Sequence, residues 1–409
     1  MKEKLWVKPL LMALLSITAA FCSKFADQLS FASDLPAIST DSVETLLTVM
    51  ASSMLAIATF AVASMVSAYS SASSAATPRS FTLVISDDVS QNALSTFIGS
   101  FIFSIVALSA VTNDFFEQAG LFCLFALTIA VFAVVILTFV RWVDRIARLG
   151  RLGETVDKVE TATRGALERR RLAPTLRCKA RNTDKVTGTP LFPPRIAYLR
   201  HIDIENLQSW ALAHEAQITI CALPGTFLSQ QRPLAYLQFD SEPCEVDDHD
   251  ALLNSFKLGD DRTFDDDPRF GLAVLSEIAG RALSPAVNDP GTAIDVIGTL
   301  VRLFDHWSKP LKDDEKKEVE FERISVPTLS TLDMFDDAFT SLARDGAGTV
   351  ELAVRLQKAL GMLADMNDGV MRDAAKHHAD LALERAEKTL EIEYDIEQVR
   401  KAHSGVSPC

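Results

Sequence analysis

The hydrophobic positions of this chain fall into two regimes. Up to residue 143 they form long runs with few charges, and from Asp144 onward they recur at helix and strand spacing among dense charges. Three runs, 46–68, 93–111 and 119–140, contain no Asp, Glu, Lys, Arg or His. Each is long enough for a helix to cross a bilayer core, which takes roughly 20 apolar residues with every backbone group bonded internally. A fourth run, 5–21, is shorter and carries Lys8 and Pro9. It reads as a retained span or a cleavable signal peptide, and the lack of a small-x-small cleavage site favours retention. The predicted fold is an integral membrane α-helical region of four transmembrane helices followed by a mixed α+β, helix-rich cytosolic domain.

Beyond the spans, the pattern predicts a basic juxtamembrane stalk over 144–185, a small α/β module over 186–245 and a mainly helical domain over 246–409. In the module, Asp203 is placed to cap a helix from about Ile204 to His214, with strands at 217–222 and 234–239 around a Pro224-Gly225 turn. Further on, a core helix ends near Ser284-Pro285. Asp289 then stands as N-cap with Pro290 at the first helical position of a helix running to about Trp307. Residues 321–326 suggest a strand, and 328–401 read as almost wholly helical, with heptad-like spacing over 381–399 that invites partner helices within or between chains.

Charge sets the orientation. The formal net charge of −14 divides into about −3 for 1–143, about +6 for 144–185 and about −17 for 186–409. Lys2, Lys4 and Lys8 hold the N-terminus inside, the loop after the first run is acidic (Asp27, Asp34, Asp41, Glu44), and arginines crowd the far side of the last span. Both termini are therefore expected in the cytoplasm. The basic stalk, with Arg145, Arg148, Arg151, Arg164, Arg169, Arg170, Arg171, Arg177, Lys179 and Arg181, is expected to attract anionic lipid headgroups. The acidic distal domain repels nucleic acid. Six cysteines at 22, 123, 178, 221, 244 and 409 show no metal or disulfide spacing and read as reduced thiols.

Candidate chemistry is sparse. Thr96, Ser100 and Ser104 recur every four residues on one helix face with Gly99 beside them. Such a stripe serves close helix packing or lines a wetted pore. No ionisable residue lies within the three clear spans, which argues against a proton-coupled transporter built on a buried carboxylate. Four spans are few for one pore, so a channel would have to be a homo-oligomer. The segment 78–88 is either a short interfacial helix or a plain loop. The acidic stretch 242–267 lacks the ligand spacing of an EF-hand, and no metal or cofactor is expected. A possible cytosolic polar site comprises Arg262, Thr263, Asp267, Asn288 and Asp289. There is no nucleophile elbow, phosphate loop, complete dinucleotide fingerprint or zinc-binding His pair, so no catalytic residue is assigned and an enzyme is disfavoured.

Several of these stretches resemble the bacterial predicted membrane proteins grouped as domain of unknown function 2254. The likeness runs through Pro78-Arg79-Ser80-Phe81, Ser90 to Phe101, Arg262-Thr263 with Asp267 and Phe270-Gly271, and Ala282 to Pro290 with Thr292-Ala293. Asp266 departs from it, the family having Gln there more often. The resemblance implies a retained first span, four spans in a bacterial inner membrane and a cytosolic mixed domain. It implies no activity. Three functions follow in order: an oligomeric channel or permeability factor regulated by its cytosolic domain, a membrane-tethered sensor or scaffold without transport, and, last, an enzyme at the membrane face.

Overall fold

The computed structural model describes residues 7–28, 36, 38–75, 77–85, 88–148, 152–181, 186–240, 249–312, 318–366 and 368–405. Lys2, Lys4, Asp34, Arg151, Cys244, Cys409 and the acidic residues of 241–248 lie outside them. The chain divides into two compact units, Met1–Thr155 and Val156–Cys409.

The first unit is helical. Its elements are α1 (Val7–Cys22), a 3-10 turn (Ser23–Gln28), α2 (Thr40–Ala75), the short α3 (Phe81–Ile85), α4 (Asp88–Thr112) and α5 (Gln118–Arg148). Four of these helices are long and apolar enough to cross a membrane. The segment read as interfacial helix or loop holds the five-residue α3. Two interior clusters hold the bundle. One joins Val43, Leu47, Phe103, Ala107 and Leu124, and the other joins Met54, Ala61, Ala93, Phe97, Val135 and Trp142. Leu11, Leu14, Leu55, Phe60, Leu137 and Val140 point outward and exposed, the disposition suited to a solvent of lipid chains. Asp27, read from the sequence only as a charge in an acidic loop, accepts hydrogen bonds from the backbone amides of Gly120 (2.5 Å) and Glu117 (3.1 Å). It thus satisfies free donors at the start of α5 across some ninety positions of chain.

The second unit takes in most of α6 (Leu152–Leu172) and then β1 (Cys178–Ala180), β2 (Thr189–Leu191), β3 (Ala197–Ile202), α7 (Ile204–Ala213), β4 (Ala216–Ile220), β5 (Phe227–Leu228), β6 (Ala235–Phe239), α8 (His249–Asn254) and β7 (Phe256–Gly259). It continues with α9 (Pro268–Ala282), α10 (Pro290–Ser308), β8 (Phe321–Val326), α11 (Thr331–Asp345), α12 (Val350–Ala364), α13 (Gly369–Thr389) and α14 (Glu393–Ser404). A five-stranded sheet has the order β1-β8-β4-β6-β2, and a three-stranded antiparallel sheet the order β5-β3-β7. The strands at 178–180, 256–259 and 321–326 lie outside 186–245, so that segment does not complete either sheet alone. β8 lies parallel to both β1 and β4, which requires the long crossover through α8, α9 and α10. Inward positions alternate along β4 (Ala216, Ile218, Ile220) and β6 (Ala235, Leu237), and Leu207, Trp210 and Ala211 of α7 join the same core.

Three helix starts have a local cause. Asp203 accepts from the Asn206 amide (3.1 Å) at α7, Asp289 from the Thr292 amide (3.1 Å) at α10, and Ser330 from the Asp333 amide (3.1 Å) at α11. The heptad-like stretch is not one helix. It breaks over Leu390–Ile392, and Val399 of α14 folds back with Ala386 of α13 onto Ala353 of α12. Arginines of the basic segment are engaged inside this unit. Arg169 bonds the Asp265 carbonyl, Arg171 pairs with Glu168 (2.9 Å), and Arg170 is buried, its pKa pushed down to about 10 by desolvation against the opposing pull of Asp266.

α10 and α11 meet in an aromatic core in which Phe304, Phe335 and Phe339 pack with ring centroids 4.4 to 5.7 Å apart. His378 of α13 joins them, 1% exposed, with Nε2 3.2 Å from Asp336 Oδ1, while its neighbour His377 points to solvent. Burial lowers the His378 pKa; Asp336 opposes this, and His377 and Arg385 add to it. A base with a depressed folded pKa binds its proton less readily in the native state, so stability falls as pH drops below the unfolded value near 6.5. Unfolding at pH 7 and pH 5 should therefore show an acid-side loss of stability that His378→Leu removes. An equal acid-side loss in the variant would place the titration elsewhere.

Candidate functional site

The two candidate groups of the sequence have different fates. In the first unit, Ser100 and Ser104 are buried, and the Ser104 hydroxyl donates to the Ser100 carbonyl at 2.8 Å. Thr96, half-buried, donates to the Asn92 carbonyl at 2.9 Å. A Cβ at Gly99 would stand 3.1 Å from Met12 Cβ and 3.4 Å from the Met12 carbonyl oxygen. α1 of the same chain thus covers the glycine, and the missing side chain is what lets the two helices approach.

In the second unit, the polar candidates separate. Arg262 and Asp267 meet: Nε donates to Oδ2 at 2.7 Å and an Nη to Oδ1 at 3.1 Å, the bidentate fork that a planar guanidinium makes with a carboxylate. Asp267 is 3% exposed and is also the N-cap of α9, accepting from the Phe270 amide at 3.1 Å. Burial raises its carboxyl pKa in spite of Arg262, the Phe270 amide and Arg269, all of which pull the other way. The Arg262 guanidinium lies over the Phe270 ring, 5.2 Å from its centroid. Thr263 is half-buried beside the pair.

Asn288 and Asp289 stand at the other end of α9. The Asp289 amide donates to the Ala282 carbonyl at 2.8 Å, and the fifteen residues of α9 span about 22 Å at 1.5 Å each. Asn288 takes a positive φ of 48° and Asp289 caps α10, its carboxyl pKa lowered by the Thr292 hydroxyl and amide. That stretch is an interhelical turn. Arg262, Asp267 and Asn288 do not form one cleft.

Arg262 and Asp267 instead line a cavity of 410 Å³. One wall is the segment from Cys221 to Phe227 after β4, with Arg232 beyond it; the other is formed by Arg269, Pro327, Leu329 and Asp333. Gly225, at φ +93°, brings the backbone so close that a Cβ would overlap Asp267 Oδ2. Arg269 crosses from α9 to α11, with Nε 2.6 Å from Asp337 and an Nη 2.7 Å from Asp333. The Cys221 thiol is pushed up by burial, and the nearby Arg181 and Arg232 act against that. Sequence reasoning missed Arg232, Arg269 and Asp333. They come from three distant segments, and only a local basic-acidic pattern could have hinted at them. Among the described residues, no three His, Cys, Asp or Glu side chains are grouped to hold a metal ion.

Four apolar helices joined to a mixed, helix-rich unit define a multi-helix membrane protein. Residues 2–362 match the family described as predicted membrane protein, domain of unknown function 2254, and the chain belongs to that family. It is 30% identical over 135 residues to proteins named as uncharacterized in Mycobacterium tuberculosis and Mycobacterium bovis, an alignment covering 32% of this chain and 26% of each relative. The chain thus matches about a quarter of the length of those relatives. No solved structure matches it significantly.

Proposed function

We propose that this protein is a membrane-tethered sensor or scaffold whose helical unit anchors the mixed unit at the cytoplasmic face of a bacterial inner membrane. The observation that carries this reading is the cover on α4. Gly99 is filled by Met12 of the same chain, and the hydroxyls of Ser100 and Ser104 are buried, with that of Ser104 bonded to its own backbone. Hydroxyls so placed cannot present donors and acceptors to a file of water and ions, which a polar pore requires. The channel reading drew on this same stripe and needs it to face an open axis. Contact of the basic segment with anionic headgroups, and assembly as a homo-oligomer, belong to the same proposal.

Reconstituted liposomes provide the test. The wild-type protein is expected to conduct no more ion flux than protein-free vesicles, and Ser100→Leu is expected to lower thermal stability in detergent by overpacking a buried position. Flux by the wild type that Ser100→Leu abolishes, from a closed ring observed by mass in nanodiscs, would overturn the tether and establish a pore.

A further inference from the structure

The charges that line the cavity beside Arg262 and Asp267 are unevenly paired. Arg262 is paired with Asp267, and Arg269 with Asp333 and Asp337. Among the described residues, Arg232 has no carboxylate within pairing distance, yet it lines the same cavity. The first turn of α11 borders the space through Asp333, and the capped start of α9 through Asp267. The N-terminal turns of both helices therefore border it, each with a carboxylate already in place. The remaining lining is largely apolar, with Leu223, Pro224, Phe227, Pro327 and Leu329. The volume of 410 Å³ lies in the range of about 300–1,000 Å³ found for small-molecule sites with apolar walls and a few placed polar groups.

We propose that this cavity binds a small organic anion, an apolar or aromatic body bearing one phosphate or carboxylate, with Arg232 as the partner of the charge. The guanidinium supplies the donor fork that either group accepts. The apolar wall takes the body, and Arg262 and Arg269, held by their own carboxylates, fix the floor without competing as free cations. The rest of this unit is strongly acidic, so an arginine with no carboxylate partner marks the place in it where an anion is least repelled. The inference rests on the tethered-sensor reading, for which it supplies the class of signal.

Phenyl phosphate and benzoate are the probes, benzyl alcohol the neutral control, and the full chain in zwitterionic nanodiscs the sample for calorimetry. Saturable binding of at least one anion is expected, with benzyl alcohol much weaker. Arg232→Ala should weaken it by roughly tenfold or more, the usual loss for one charge-assisted contact, and Arg232→Lys should retain part of it. Arg232 is exposed, so Arg232→Ala is expected to unfold at the wild-type temperature. Adding phosphatidylglycerol to the nanodisc separates the sources of the anion: competition with the probe assigns the cavity to a lipid headgroup, and unchanged binding assigns it to a soluble ligand. No saturable binding of either anion, equal binding of benzyl alcohol, or unchanged affinity in Arg232→Ala overturns the proposal. Failure of the probes leaves the protein a scaffold on its tether, whereas liposome flux would overturn the tether and leave the binding result standing.

Discussion

Asp267→Ala should destabilise the second unit by about 3–5 kcal/mol, the largest effect expected of any single side chain here. Two losses combine. The substitution removes the N-cap of α9, about 1 kcal/mol for such a change, and leaves the Arg262 guanidinium without its bidentate partner in a half-buried place. Removing one member of a buried pair costs more than the pair contributes, because the survivor keeps its desolvation penalty. Asp267→Asn separates the two terms. Asparagine caps as well as aspartate, so that variant keeps the bond to the Phe270 amide while it loses the charge and one acceptor of the fork to Arg262. Thermal unfolding of the full chain should rank wild type above Asp267→Asn, and Asp267→Asn above Asp267→Ala. Arg262→Met added to Asp267→Ala should recover part of the loss, since it takes away the stranded cation. A double variant no more stable than Asp267→Ala would show that capping and packing, not the unpaired charge, set the cost.

What the sequence conveys about this protein is local. The spans are visible because apolar runs need no partner to be recognised. The caps Asp203 and Asp289 are visible because each acts on an amide three positions away. The break at Leu390–Ile392 is not visible: no Gly or Pro marks it, and the extended backbone of Leu390 is favoured by how α14 lies on α12 and α13. The polar stripe on α4 is plain in the sequence, but its meaning depends on which helix covers it, and Met12 lies almost ninety residues away. The same limit applies to the cavity. Arg262 and Asp267 are five residues apart and stand out in the sequence, whereas Arg232, Arg269 and Asp333 converge only through the crossover that brings β8 beside β4.

Gly271→Val should cost about 1–3 kcal/mol or more through a contact equally hidden in the sequence. Gly271 lies one turn into α9, where a Cβ would overlap Thr163 Oγ1 and stand 2.7 Å from Thr163 Cβ. Thr163 cannot swing aside cheaply. It is 1% exposed in α6, and its hydroxyl donates to the Val159 carbonyl at 2.6 Å. The helices must therefore part, which loosens the flanking ties of Glu160 to Arg302 and of Glu168 to His306. For a domain of this size each kcal/mol lowers the melting temperature by about 2–4 °C, so the loss is readily measured on the full chain. Thr163→Gly should restore part of it in the double variant, since it removes the hydroxyl and also the Cβ that stands 2.7 Å away, a coupling expected only of residues in contact. The functional consequence follows from position. Gly271 is four residues from Asp267 at the cavity wall, and α6 begins at Leu152, just after the last membrane helix in the chain. A ligand that shifts the start of α9 acts first on the Gly271–Thr163 contact. If the tethered-sensor reading holds, a Gly271→Ala, Thr163→Gly pair that keeps its stability should still bind an anionic probe yet alter how ligand changes hydrogen exchange in α6. Unaltered exchange in α6 on ligand binding, in wild type and variant alike, would sever that route.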